Sequence, residues 1–497
     1  MADQSTFSPN EQELLAPYEE ALARAQAAGD TLQEAEVLNN LGNAQLMVGN
    51  PKAAQEHFLR ALELWRTLDD PATEATLLTN LGILHLLENN LPEALTYYEQ
   101  ALAQWKTLED ETGQAETLTY LGGLHARLGE REQAMDRYEA ALALWKSLED
   151  ESGQAEALTA IANVYQGLGN IDEALERYEQ ALSLWKILND DAGQAEVYTH
   201  MGALYEDIEE EPLALKQYEQ ALLLWRRVGD PVGEAEMLHS IGFVYEMTEK
   251  PQRALKYYKQ ALAIWRDLKN RREEADLHES LGSVYMNMGK PRDALKQYNQ
   301  ALAIWRAMQD RVGEATTLGT LGSLYSELEK PDEALRHYEQ AMTLWQQLED
   351  RGHEADILLM MGNLHEEQEQ HRQALPFYKN SLAAWREAGE PLGEAAALSA
   401  LGMLYQSMGR GRQALGYLRQ ALPLFAEGQD LWSELFLSVS IGMLLADSNQ
   451  FAAALPYLER AVALGTVLGN PEVESDRELL EMVRGLARQS GQLRRKS

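Results

Sequence analysis

The sequence contains no cysteine. That excludes a disulfide framework, a thiolate nucleophile and a Cys-based zinc site, and it fits a reducing compartment. Basic residues are scarce, 43 Lys and Arg against 79 Asp and Glu, for a formal net charge of −36. Nucleic acid and anionic membrane both call for a basic face, so neither is an expected partner, and a basic protein or peptide is. No apolar run approaches the ~20 residues of a membrane span. The opening MADQSTFSPNEQE has neither a basic n-region nor an apolar h-region, so no secretory leader is expected and the location read from it is cytoplasmic. Glycine is present but single and repeat-spaced, with no phosphate-cradling cluster. His365-Glu366-Glu367 is not the zinc-protease pattern H-E-x-x-H, because position 369 is Glu. No Ser–His–Asp set or paired carboxylates stand apart from the pattern described next. An enzyme needs such a constellation, so no catalytic residue, metal or cofactor is expected.

What the sequence does have is a period of forty residues. Trp345 recurs as Trp65, Trp105, Trp145, Trp185, Trp225, Trp265, Trp305 and Trp385. Gly322 recurs as Gly42, Gly82, Gly122, Gly202, Gly242, Gly282, Gly362, Gly402 and Gly442, and Ala334 recurs without exception from Ala54 to Ala454. A fixed period in this range marks a solenoid of stacked supersecondary units, which overrides the domain count that length alone suggests.

Within 311–350, Ala315, Leu318, Leu321, Gly322 and Tyr325 share one face at helical spacing, and so do Ala334, Leu335, Tyr338, Ala341, Met342 and Trp345. Two amphipathic helices are therefore expected, joined near Leu328–Pro331. Gly49, Gly129, Gly169, Gly289 and Gly409 stand at that break, where a left-handed residue ends a helix. Pro51, Pro251, Pro291 and Pro331 then suit the first turn of the next helix. Asp70-Pro71 and Asp230-Pro231 supply an N-cap and a first-turn proline at the junction between repeats. Arg66, Lys106, Lys186 and Arg306 follow the repeated tryptophans and read as last-turn cations on the helix dipole. The Trp stripe continues the buried face and reads as core. His85, His125 and His365 fall in the Tyr325 column and read as core fillers with a polar tip. Pro376 and Pro456 lie inside second helices, where proline costs about 3 kcal/mol or kinks the helix.

These columns resemble the tetratricopeptide repeat, W-x2-L-G-x2-Y…A-x3-F…P. Leu318 stands at the Trp position, while Leu321-Gly322, Tyr325, Ala334, Tyr338 and Ala341 match. The family's closing Pro falls at Gln346, so the second helix runs on and carries Trp345. Longer units of this kind resemble the arrays of Leu-Gly-Asn mitotic adaptors, kinesin light chains and bacterial regulatory proteins. The resemblance implies an all-α fold, a right-handed superhelical solenoid of stacked antiparallel helix pairs. Along the chain it implies a disordered start at 1–9 and a half-repeat cap at 10–30. Eleven repeats follow over 31–470, then a capping helix at 471–489 and a basic flexible tail at 490–497.

The family binds partners along a concave face lined by each first helix. The resemblance places Glu36, Glu116, Glu156, Glu196, Glu236, Asp276 and Asp356 there, just after the recurrent Ala315. One turn before the break it places Glu206, Asp207, Glu246, Glu327, Glu366 and Glu367, with Arg127 the one cation. The N-terminal end of the face is apolar at Leu46, Met47, Ile83, Leu86 and Leu87. The C-terminal end is apolar at Phe436, Val439 and Met443, with Met403 nearby. The Lys/Asn set with which some members clamp a terminal carboxylate is absent. The expectation is a non-enzymatic scaffold or adaptor that holds a basic partner segment in an acidic groove. The alternative is a peptide-signal receptor of the bacterial regulatory type.

Overall fold

In the computed structural model, backbone is described from residue 9 to 494 and side chains from 14 to 489. Every regular element among the described residues is an α-helix. They fall into two units. The N-terminal unit, up to Lys250, holds α1 (Pro9–Ala28), α2 (Thr31–Met47), α3 (Pro51–Leu68), α4 (Pro71–Leu87), α5 (Leu91–Thr107) and α6 (Glu111–Arg127). It continues with α7 (Arg131–Ser147), α8 (Glu151–Gly167), α9 (Ile171–Leu188), α10 (Asp191–Asp207), α11 (Glu211–Val228) and α12 (Pro231–Met247). The C-terminal unit, from Pro251, holds α13 (Pro251–Asp267), α14 (Arg271–Asn287), α15 (Pro291–Met308), α16 (Arg311–Glu327), α17 (Pro331–Gln347) and α18 (Arg351–Glu367). It continues with α19 (His371–Ala388), α20 (Pro391–Ser407), α21 (Gly411–Glu427), α22 (Leu431–Asp447), α23 (Phe451–Val467) and α24 (Val473–Arg494). Of the expected disordered start, residues 1–8 lie outside the described residues and Pro9 opens α1. The last helix was expected to stop at 489. Its backbone continues to Arg494, because Gly491 alone costs a helix only ~1 kcal/mol. Arg495 and Lys496 lie outside the described residues.

Even-numbered helices from α2 to α22 are first helices of repeats, and odd-numbered helices from α3 to α23 are second helices. Within each unit, a first helix pairs antiparallel with the second helix of its repeat wherever both lie in that unit, and each second helix packs in turn on the next first helix. Successive first helices also touch, as α4–α6, α6–α8 and α8–α10 do, and in the C-terminal unit α16–α18 and α18–α20. One such hairpin cannot bury its apolar face alone, so stacking closes the core.

Every break between consecutive helices carries one left-handed residue. Gly129 and Gly169 take it as expected, but so do Glu149, Asn189 and Glu329. The tight turn demands it whatever the side chain. At the end of α7, Asp150 N–H donates back to the Trp145 carbonyl at 3.0 Å across the left-handed Glu149. A non-glycine there costs ~1 kcal/mol, of which glycine's freer unfolded state returns part. Glu149→Gly should therefore stabilise by about 0.5 kcal/mol, read as a rise in denaturation midpoint. A fall would mean that the exposed Glu149 side chain contributes more than its backbone strain costs.

The packing logic sits in three columns. A Cβ on Gly322 would lie 2.5 Å from the Tyr338 ring, so this glycine is the seat of the aromatic ring opposite, as are Gly42, Gly82, Gly122, Gly202, Gly282 and Gly362, while Gly402 and Gly442 seat Leu418 and Leu458. The tryptophan ring lies against the next repeat in the same way. A Cβ on Gly313, eight residues after Trp305, would stand 2.4 Å from the indole. Gly113, Gly153, Gly193, Gly233 and Gly393 repeat this arrangement. Where His353 replaces the glycine, it stacks on Trp345 with ring centroids 4.2 Å apart.

The residue after each Trp does more than meet the dipole. Arg306 Nε reaches Glu314 at 2.6 Å, and Arg66–Glu74, Arg226–Glu234, Arg266–Glu274 and Arg386–Glu394 repeat the clasp at 2.7–2.9 Å. Where Lys follows the Trp, at Lys106, Lys146 and Lys186, the residue eight positions after the Lys is Gln. Its amide donates to the Trp carbonyl at 3.4 Å. α19 and α23 run unbroken through Pro376 and Pro456.

Candidate functional site

The acids predicted for the first-helix face occupy equivalent places on successive first helices. Glu116 on α6, Glu156 on α8, Glu196 on α10 and Glu236 on α12 are exposed, each beside a buried alanine. Glu36 on α2 is exposed in the same column. In the N-terminal unit Glu156 lies within reach of two others of the column. Burial raises the Glu156 carboxyl first, and Glu196, Asp150 and Glu116 raise it further. Glu116 is raised by burial and then by Asp110 and Asp150. Those two aspartates cap α6 and α8, accepting from Gly113 and Gly153 N–H at 2.9 and 2.8 Å. Among the described residues no Lys or Arg pairs with Glu116, Glu156 or Glu196; His200 Nε2 stands 3.9 Å from Glu196.

Between α8 and α10 the face opens into a pocket of about 400 Å³. Its walls include Glu156, Asn163, Asp190 and Glu196 and the indoles of Trp185 and Trp225. Trp225 is one of two column tryptophans that are only partly buried; the other, Trp385, lines a pocket of about 780 Å³ with Asp350, His353 and Asp356. The tryptophan column is thus core along most of its length and pocket wall at these two places.

The second acidic row is partly occupied by structural work. Glu206 accepts from Tyr218 O–H at 2.9 Å and Glu366 from Tyr378 O–H at 2.7 Å. Asp207 accepts from Gln166 at 2.7 Å and Glu367 from Ser326 at 3.1 Å, each tying one first helix to another one repeat away. Glu246 is half-buried and Glu327 exposed. In the C-terminal unit Asp276 and Asp356 are half-buried rather than free. Burial, then Glu273 and Glu279, push the Asp276 carboxyl up to about 6 against the pull of Arg272.

The apolar ends are as exposed as the pattern implies. Met47 is 80 % and Leu87 68 % exposed, whereas Leu46 and Leu86 are half-buried. Arg127 spans back to this end, donating to the Leu86 carbonyl at 3.3 Å and Asn89 Oδ1 at 3.1 Å. At the other end Phe436 and Met443 are exposed beside Met403. Two residues of the face escaped the sequence reading. Glu279 is a buried carboxyl raised by desolvation, which accepts from Thr317 and from Trp305 Nε1. Trp432, 55 % exposed, is the one tryptophan of ten that leaves the forty-residue column, and that departure was the available signal.

The histidines behave as core fillers. His85 and His365 stack on Tyr97 and Phe377 at 5.3 Å, and His125 Nδ1 meets Glu130 at 2.7 Å. Among the described residues no group of His, Asp or Glu is arranged to hold a metal ion, and no helix is long and apolar enough to cross a membrane.

Asp276 gives a pH test. Its folded pKa of about 6 lies above that of an unfolded aspartate, ~3.9. Its contribution to stability is therefore full below ~4 and lost as pH rises through about 6. His57, His239 and His278, lowered by burial, pull oppositely below 6.5, so the informative quantity is a difference. Asp276→Asn should stabilise at pH 7, by at most ~1 kcal/mol after solvent screening. Its advantage over the native chain should shrink as pH falls below 6 and vanish by pH ~3.5. An advantage that is the same at both pH values would show that Asp276 titrates normally.

Helix hairpins stacked through seated aromatic rings define a helical-repeat protein. The chain belongs to the tetratricopeptide repeat family, whose pattern matches residues 11–67, 73–147, 153–222, 193–267, 273–347 and 353–427. No curated protein matches the sequence. Among solved structures it is similar to a signal-transduction ATPase with a tetratricopeptide repeat sensor from Pyrococcus horikoshii, at TM-score 0.54 and 17 % identity over 71 % of this chain. This chain spans about half of that one, 53 %. The apo quorum sensor NprR from B. thuringiensis gives TM-score 0.47 and 16 % identity, over 67 % of this chain and 98 % of that one. Yeast Tom70 gives 0.45 and 13 %, over 93 % and 97 %. At such identities the likeness concerns the fold alone.

Proposed function

We propose that the chain is a non-enzymatic scaffold that holds a basic protein or peptide segment on its first-helix face, centred on Glu116, Glu156 and Glu196. The observation that carries this reading is the crowding of Glu156 by Glu116, Glu196 and Asp150, with no Lys or Arg pairing with the three glutamates among the described residues. A carboxyl raised by burial and by neighbouring carboxylates is relieved when a cation arrives, so part of the binding energy is stored in the free protein. The adjoining pocket suits a guanidinium or ammonium, with carboxylates at its rim and indole faces on its walls. Charge supports placing the centre in the N-terminal unit, which carries 46 acidic against 15 basic side chains; the C-terminal unit carries 33 against 28. In the C-terminal unit Asp276, Glu327, Asp356 and Glu366 would form a weaker acidic face, and Phe436, Met443 and Trp432 an apolar anchor site.

The test is titration of an Arg/Lys-rich peptide, with an acidic peptide of equal length as control, across salt. Binding of the basic peptide should weaken as salt rises, because exposed charges act partly through long-range field. Reversing Glu116, Glu156 and Glu196 together to Lys should weaken it by at least ~10-fold. Salt-independent binding, or an unchanged affinity in the triple variant, would reduce these acids to a solvated face.

A further inference from the structure

The charge difference between the units is sharpest on the second helices, away from the face discussed above. Three outward positions recur on every second helix, equivalent to Arg292, Lys296 and Asn299 of α15. On α7 and α9 these positions are Glu132, Asp136, Glu139, Asp172, Glu176 and Glu179, all exposed. On α13 and α15, three repeats further on, the same columns carry Lys256, Lys259, Arg292 and Lys296, all exposed, with no acid among them. None of these four cations pairs with a carboxylate among the described residues; Lys256 and Lys259 lie over the rings of Tyr257 and Tyr285 at 5.7 and 5.9 Å. Asp293 beside Arg292 is the nearest interruption in sequence. The acids are engaged only locally, Glu176 meeting Arg177 at 3.9 Å and accepting from the Gln180 amide at 2.9 Å on its own helix.

A chain with a net charge of −36 has little reason to gather unpaired cations on one face unless that face meets an anion. We propose that the occupant is a second copy of this chain, whose α7/α9 row covers the α13/α15 row. Both rows are built on one repeat, with equivalent positions on successive second helices, so the four cations meet acids at matching spacing, while Gln252 and Asn299 leave two of the six columns uncharged on the basic side. The contact pairs the basic row of one copy with the acidic row of another, and the closed form of such a contact, made twice about a two-fold axis, is a dimer. Exposed ion pairs are individually weak and screened by salt, so the dimer is one of high protein concentration and low ionic strength.

The experiment is sedimentation equilibrium of the full chain at about 100 μM in low salt and in about 0.5 M salt, where the Debye length falls to a few ångströms. The expected result is a dimer in the first condition and a monomer in the second. Lys256→Glu with Lys296→Glu should weaken the dimer at least ~10-fold, and Glu139→Lys with Glu179→Lys should do the same. Both variants change exposed helix positions, and circular dichroism establishes that each is folded. Mixed in equal amounts, the two variants should recover a dimer, since one interface is then native and the other has its charges exchanged. A monomer in low salt, a dimer unaffected by either variant, or a mixture that stays monomeric would overturn the proposal.

Discussion

Trp305→Ala is expected to destabilise the C-terminal unit by about 3–5 kcal/mol, the range for emptying a large aromatic site. The indole is 2 % exposed, and Gly313 of the next helix leaves room for it and nothing else. Truncation therefore opens a cavity between two repeats, which neighbouring side chains fill only in part. It also removes the Nε1–H that donates to Glu279 at 3.3 Å, leaving that buried carboxyl one donor poorer. Arg272, whose guanidinium lies 5.5 Å from the indole centroid, loses its stacking partner. Repeat arrays unfold through nearest-neighbour terms, so the loss should appear as local hydrogen-exchange deprotection of α14–α16 as well as a lower urea midpoint. Trp225→Ala should cost less, because that ring is partly exposed as a pocket wall. Equal costs at the two sites would mean that the tryptophan column does not divide between core and pocket.

Gly322→Val should cost about 2–3 kcal/mol through overpacking. The new side chain would meet the Tyr338 ring, whose carbons stand 2.5 Å from an ideal Cβ, and Tyr338 is itself buried against α16. The sequence contains its own control. Ala162 occupies the glycine column of the repeat 151–190, and opposite it Tyr178 turns its hydroxyl to Asn163 and Gln166. One methyl is therefore accommodated and Gly322→Ala should be mild, while a branched side chain exceeds what the ring can yield. Pairing Gly322→Val with Tyr338→Leu, the residue at Leu418 and Leu458, should recover part of the loss. Strict additivity of the two single changes would place the clash elsewhere.

The architecture was legible because one period carries it. The Trp, Gly and Ala columns mark both helices of each repeat, and the aspartates and prolines mark where they start. The glycine eight residues after Trp and the arginine after it were harder to interpret. Their partners are each other's neighbours across the junction: Trp305 lies on Gly313 while Arg306 reaches Glu314. Read singly, Arg306 is a last-turn cation; read with Glu314 it is a clasp. The variation among repeats signals this, since Arg is followed eight residues on by Glu and Lys106, Lys146 and Lys186 by Gln. Left-handed Glu149 and Glu329 were not visible, because turn length rather than residue type fixes that conformation.

The candidate site was legible in position but not in state. The pattern singled out Glu116, Glu156 and Glu196, but the effect of the other two on Glu156 depends on distances between helices forty residues apart in sequence. It could not show that Glu206 and Glu366 are already engaged by buried tyrosines. Glu279 was missed because its column holds Thr119, Thr159 and Thr199 in other repeats.

The most direct measurement of the central claim is proton release on binding. Calorimetric titration of the Arg/Lys-rich peptide at pH ~5, in buffers of different ionisation heat, counts protons exchanged by the complex. Burial and neighbouring carboxylates raise the Glu116 and Glu156 carboxyls, so both hold their protons to higher pH than a free glutamate does. A cation settling between them favours the charged form, so the account predicts net release at pH ~5 that fades by pH ~7.5 and is lost in the triple Lys variant. Binding without proton release, or with the same release in that variant, would contradict it.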